Sequence, residues 1–128
     1  MKLIKSNELI EKKSRFIGFL IECNNSEEIK NFCDELKQQH KKATHICYAY
    51  RFKVPFAEKA VDDGEPSGTA GRPILNVLQK KDLYNYAIFI VRYFGGIKLG
   101  AGGLVRTYSK VASELNQNII FKLLICFY

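Results

Sequence analysis

No two of the four cysteines are spaced as C-x-x-C, so Cys23, Cys33, Cys47 and Cys126 give zinc no local ligand signature. Each lies in an apolar run, where cysteine behaves as a small hydrophobe, and reduced, buried thiols are expected. No apolar stretch approaches the roughly 20 residues of a membrane span. The N-terminal MKLIKSNELIEKKSRF holds no apolar segment long enough for a secretory signal. A cytoplasmic protein without membrane contact is therefore expected. Internal repeats and low-complexity tracts are also missing, and 128 residues suit one domain. Carboxylates are scarce at the C-terminal end: residues 91–128 hold five Lys/Arg against one Asp/Glu, more than half of the chain's net charge of +7. A basic excess of this kind favours polyanionic partners through counterion release.

Against these absences stands a clear alternation of strand-like and helix-like segments. Ser14 to Cys23, rich in aromatic and branched residues, reads as a strand. Ser26, followed by Glu27 and Glu28, reads as the start of a helix reaching about His40, with Ile29, Phe32, Cys33 and Leu36 on one face. His45 to Phe52 alternates as a strand. Its small face holds His45, Cys47, Ala49 and Arg51, and its bulky face Ile46, Tyr48, Tyr50 and Phe52. The tyrosines are candidates for core packing or for a base-stacking platform. From Lys53 to Arg72 periodicity is lost, and Pro73 opens a short helix to about Lys81. Tyr86 to Tyr93 is apolar on both faces and reads as a central strand. A helix from about Gly102 to Asn116 follows, and Ile119 to Tyr128 reads as a strand. The expected fold is an α/β (α+β) two-layer sandwich, with a sheet of about four strands and helices mainly on one face. Residues 1–118 form the domain and 119–128 an apolar tail able to self-associate through an exposed strand edge.

Two loops carry the candidate chemistry. Gly95, Gly96, Lys98, Gly100, Gly102 and Gly103 link the central strand to a helix start, where free N–H groups suit an anion, and Arg72, Arg92 and Arg106 can add charge. The segment is neither G-x-G-x-x-G nor a P-loop, since Ala101 and Gly102 stand where Lys and Ser/Thr are required. Asp62, Asp63 and Glu65 form an acidic loop, read as anchors for the basic loop ahead of the alternative, a Mg²⁺ site that with the glycine loop would serve a phosphate-handling enzyme. An Arg72, Arg92, Lys98 or Arg106 pairing with one of these carboxylates is expected. His45 and Cys47 lie about 7 Å apart along one strand face, too far for a nucleophile–base pair. No catalytic residue, metal or cofactor is assigned.

DDGEPSGTAGRPIL followed by VRYFGGIKLGAGGLVRTYS is similar to the signature of the IMPACT/YigZ family, and KKSRFIGFL and THICYAYRF resemble its earlier strands. The resemblance spans Lys12 to Ser109. It implies the superfold of elongation factor G domain IV, the GHMP kinases and the second domain of ribosomal protein S-five. The GAGG here lacks the serines of the kinase loop, so an enzyme is not expected. The resemblance further implies binding to RNA, the ribosome or a translation-regulatory protein. Bacterial members continue into a ferredoxin-like second domain, whose opening strand FKLLICFY resembles.

Overall fold

The computed structural model describes the backbone of residues 1–126 and the side chains of residues 1–116. Its elements are β1 (Lys2–Glu11), β2 (Ser14–Glu22), α1 (Ser26–Gln39), β3 (His45–Phe52), β4 (Ala57–Val61), α2 (Gly71–Lys80), β5 (Tyr86–Tyr93) and α3 (Gly100–Cys126). The strands form one sheet in the order β1-β2-β5-β3-β4, every neighbouring pair antiparallel. β5 is central, as its apolar run YAIFIVRY predicts, and Ala87 through Val91 are all fully buried. The period of two divides these residues between two cores. Ile88 and Ile90 join Phe16, Leu20, Cys47 and Ala49 beneath α2 and α3. Ala87, Phe89 and Val91 join Ile17, Ile21 and Ile46 beneath α1. Two of the three helices thus share one face, and α1 covers the other.

The sheet has five strands rather than four, and the difference lies at its edges. β4 (AEKAV) lacks branched and aromatic residues apart from Val61, so its propensity is weak. Pairing makes it a strand: it runs antiparallel to β3, and the Arg51–Glu58 ion pair (2.7 Å) links the two directly opposed residues. β1 carries polar residues on both faces and escapes a pattern search. Ile4 and Leu9 still pack on the α2–α3 core, while Asn7 Nδ2 donates to the Val111 carbonyl (3.1 Å) and Lys5 Nζ to that of Glu114 (3.2 Å). Opposite Asn7, Gly18 is compulsory: a Cβ there would strike Asn7 Oδ1 and lie 2.8 Å from Leu115 and Val111.

The strand expected over Ile119–Tyr128 is not formed, because the backbone continues as α3 to Cys126. Branched and aromatic residues favour strands in isolation. An existing helix, however, extends by one hydrogen bond per residue without repeating the cost of nucleation. The side chains of that tail, Phe127 and Tyr128, and with them the self-association expected there, lie outside the described residues. The cap of α1 is Asn25, one residue before the expected Ser26; its side chain accepts from the Glu28 N–H (3.0 Å).

The β1–β2 turn is a two-residue hairpin with Glu11 opposite Ser14, and both central residues, Lys12 (φ 45°) and Lys13 (φ 66°), sit in the left-handed region. Lysine there is strained by about 1–2 kcal/mol per residue relative to right-handed backbone. The pair Lys12→Asn/Lys13→Gly should therefore raise stability by about 1 kcal/mol in urea denaturation. A loss of stability would show that the lysine side chains make contacts outweighing the strain.

Candidate functional site

The acidic loop folds around its own carboxylates. Asp62 follows β4, and its Oδ1 accepts from the N–H groups of Ala70 (3.1 Å) and Gly71 (2.8 Å) while Oδ2 accepts from Gly68 (2.9 Å). This draws residues 62–71 into a closed turn and places a negative charge on the N-terminus of α2, where the helix dipole favours it. Gly71 cannot carry a side chain, since a Cβ would collide with the backbone of Val61. Asp63 (φ 46°) and Gly64 (φ 90°) turn the chain back towards β3, so that Asp63 Oδ2 accepts from Ile46 N–H (2.7 Å). Asp62 and Asp63 are therefore engaged by backbone donors. Among the described residues no group of three His, Cys, Asp or Glu side chains is placed to hold a metal ion.

Glu65 is the carboxylate that crosses to the other loop. It is buried, and Arg92 Nη1 donates to both of its oxygens (2.9 and 2.7 Å). Tyr108 of α3 donates to Oε2 (2.6 Å), and His45 Nε2 lies 3.2 Å from Oε1. The Arg92 guanidinium, itself buried, lies between the rings of Phe16 and Phe94 (5.4 and 5.5 Å to the centroids), and its Nη2 donates to Ser14 Oγ (3.3 Å). The same hydroxyl accepts from Gly95 N–H (3.2 Å). One carboxylate thus joins the acidic loop to β5, β3 and α3, and Ser14 joins β2 to the glycine loop. The pairing expected between the loops is Arg92–Glu65.

His45 and Cys47 do not face one another. His45 Nδ1 donates to the Asp63 carbonyl (2.8 Å), and Cys47 Sγ donates to the Asp62 carbonyl (3.0 Å) beside the Tyr108 hydroxyl (3.5 Å). Burial pushes the Cys47 thiol up to about 12, and the Tyr108 phenol is raised well above its ordinary value, chiefly by burial. A thiol held protonated in this way is a packing group rather than a nucleophile.

After β5 the chain passes through Phe94-Gly95-Gly96-Ile97-Lys98-Leu99 into α3. Gly95 presses on the Lys13 backbone so closely that any Cβ would collide with it, while Gly96 (φ 91°) and Gly100 (φ 76°) take left-handed backbone. Between this loop and the acidic loop lies an open cleft of about 400 Å³, lined by His45, Glu65, Arg92, Phe94, Lys98 and Gly100 among others. Its inner end is charged, and Phe94 at its rim is exposed. The helix opens Leu99-Gly100-Ala101-Gly102-Gly103, none of which carries a side-chain oxygen that could cap the free N–H groups. Arg92 Nε is buried and has no hydrogen-bond partner among the described residues.

The predicted site residues that line a hollow fall into two sets, and Arg72 stands apart from both. Glu65, Arg92, Lys98 and Gly100 meet at this cleft. Gly103 and Arg106 line a smaller neighbouring hollow of about 160 Å³ with Lys12 and Lys110. The Arg106 guanidinium folds back to within 3.2 Å of a Cβ placed on Gly102. Arg72 is exposed on the first turn of α2 and lines neither hollow. Sequence reasoning missed the parts played by Ser14, Tyr108 and Phe94. Tyr108 was the most accessible of these, because a tyrosine at a core position of a helix needs a partner for its hydroxyl.

Glu65→Gln should lower stability by about 3 kcal/mol in urea denaturation, because it leaves the buried Arg92 without its counter-charge. The double variant Glu65→Leu/Arg92→Met should lose less than the sum of its single changes, and additivity would show that the two groups act independently. A second test uses pH. Burial raises Cys23 and Cys47 to about 12 from an ordinary 9.0, so the unfolded chain gives up these protons first as pH rises. Their contribution to stability is complete below about pH 9 and is lost between 9 and about 12. Thermal melts across this window should fall steadily, and Cys47→Ala should make the fall shallower. A flat profile would contradict the burial of the thiols.

The Impact N-terminal domain profile matches residues 12–115. The chain is 50% identical over 109 residues to the IMPACT family member YvyE of Bacillus subtilis (strain 168), covering 84% of this chain and 50% of the relative. It is 41% identical over 100 residues to the IMPACT family member YigZ of Escherichia coli (strain K12), covering 76% and 49%. It thus spans about half the length of these relatives. A crystal structure described as that of a hypothetical protein superposes with a TM-score of 0.81 at 35% identity, over 86% of this chain and 55% of that one. The two-domain translational regulator Yih1 shares the fold (TM-score 0.61, 24% identity), over 89% of this chain and 45% of that one. With the profile covering both loops and most of the strands that build the cleft, the chain belongs to the IMPACT family, and residues 12–115 are its Impact N-terminal domain.

Proposed function

We propose that this domain is a binding module of the translation apparatus, and that it takes a phosphate group of RNA in the cleft where α3 begins. The observation that carries this reading is the convergence on one cleft of two cationic features without a counter-charge: the N-terminus of α3, which has no side-chain cap, and Lys98. Phe94 at the rim supplies an exposed ring against which a base can stack. Arg106, Lys12 and Lys110 around the adjoining hollow extend the positive surface. The link to translation is supported by the naming of Yih1, a protein of the same fold, as a translational regulator.

A binding role is favoured over phosphate chemistry by the state of the carboxylates. Asp62 and Asp63 already accept from backbone amides, and Glu65 is neutralised by Arg92. None is left as a free base beside the cleft, so the proposal includes no turnover of ATP or GTP. A protein partner is the second reading, favoured by the exposed apolar side chains of Phe94, Ile97 and Val105 next to the loop.

A salt titration tests the proposal. Binding to single-stranded RNA and to ribosomal subunits should weaken as salt rises, with log K falling by about 0.7 per phosphate contact on single strands. Lys98→Ala and Arg106→Ala should each weaken binding to all RNA sequences alike and reduce that slope. Both lie outside the Glu65 network, so folding should be unaffected. Affinity that is independent of salt, or unchanged in the Lys98→Ala/Arg106→Ala double variant, would leave the protein-partner reading ahead.

A further inference from the structure

The opposite face of the sheet carries a second groove. Its floor is the bulky face of β3: Tyr48, whose inner side stacks on Phe89 (centroids 4.7 Å apart, 22° between planes), and Tyr50, which tilts against Phe52 (4.9 Å, 33°). Both tyrosines are half-buried, so each has one side committed to the core and the other turned to the groove. One wall is α1, with Lys30, Asp34 and Lys37 along a single stripe, and the other is Lys59 of β4, directly opposite Tyr50. This hollow, about 320 Å³, shares Ser26 and Tyr50 with a second of about 350 Å³ that runs past Phe52 to the exposed Val54–Pro55 tip of the β3–β4 hairpin. Among the described residues, none of the three lysines is held in an ion pair.

We infer that this groove binds a single-stranded segment of RNA, with one unpaired base on each of Tyr48 and Tyr50 and the phosphates directed to Lys30, Lys37 and Lys59. The inference rests on the RNA-binding reading of the domain but concerns a different surface. Three unpaired cations against one carboxylate select a polyanion, and half-buried rings on the floor between two cationic walls select one that carries flat apolar groups along its length. Residues two apart on a strand place the rings about 7 Å from one another on the same face, which suits successive bases of an extended strand. An acidic peptide satisfies the lysines but leaves both ring faces unmatched. The α3 cleft holds a phosphate on one side of the sheet, so a strand passing from one face to the other would be gripped at two points.

The test is ultraviolet crosslinking of oligouridylate to the full 128-residue chain, with mapping of the joined peptides, alongside affinities of exposed-lysine and tyrosine variants. Crosslinks are expected at Tyr48 or Tyr50. Tyr50→Leu, which keeps an apolar floor, should weaken binding about tenfold, and Lys30→Ala/Lys37→Ala should lower the salt slope by about one to one and a half. The crosslinks at the tyrosines should persist in Lys98→Ala/Arg106→Ala. Crosslinks confined to residues 94–106, with Tyr50→Leu binding as well as the parent, would overturn the groove and leave the proposed function standing. Crosslinks confined to the groove would support the inference while removing the α3 cleft from the account. Saturable binding of polyglutamate that oligouridylate cannot displace would overturn it in favour of a peptide partner.

Discussion

The Glu65 carboxylate is the group on which the arrangement of the site depends. A buried carboxylate is costly unless its oxygens are filled, and those of Glu65 are met by Arg92 from β5 and Tyr108 from α3, with the His45 ring of β3 packed beside them. These three residues come from elements far apart in the chain, so satisfying one charge fixes the acidic loop, the central strand and the last helix relative to one another. The geometry of the cleft follows. Arg92 is held by this contact with its Nη2 on Ser14, and Ser14 in turn ties down Gly95 at the start of the glycine loop. The acidic loop could take this shape only because Asp62 gathers three backbone amides and holds α2 in place.

The sheet divides the molecule into two functional sides. β5 is apolar throughout and gives nothing to either surface except at its ends, where Arg92 reaches one side and Tyr93 lies close to His40 on the other (2.6 Å between the phenol oxygen and Nδ1). β3 is the asymmetric strand. Its small face, Cys47 and Ala49, allows α2 and α3 to lie close, which brings the N-terminus of α3 up to the acidic loop. Its bulky face leaves two tyrosines only half-covered by α1. A single strand of eight residues, HICYAYRF, therefore sets both the phosphate cleft and the aromatic groove.

The parts of this account that were legible in the sequence are those in which side-chain pattern alone decides the outcome. The two-sided apolar run of β5, the 3.6-residue period of α1, and the close packing of Asp, Gly and Pro that makes a loop of residues 62–71 are of this kind. The opposite charge of the two loops was also enough to predict that they meet. Edges were not legible. β1 and β4 are strands because a neighbouring strand offers them hydrogen bonds, and Lys12-Lys13 forms a tight turn despite having neither Asn nor Gly, since the flanking strands impose it. The apolar tail misled for the converse reason: its residues favour a strand, but a long helix already in progress carried the backbone on to Cys126. Tyr108, on the core face of a helix, signalled only that its hydroxyl needs a partner, not that the partner is the Glu65 carboxylate.

The central claim, that a phosphate of RNA sits at the start of α3, is tested most directly by nitrogen-15 NMR during titration with a short single-stranded RNA. The amides of Ala101, Gly102 and Gly103 and the Nε–H of Arg92 should shift together and saturate at one affinity, and Glu65→Gln should abolish the response at Arg92 by releasing its side chain. RNA-induced shifts that leave these four groups unmoved would contradict the account.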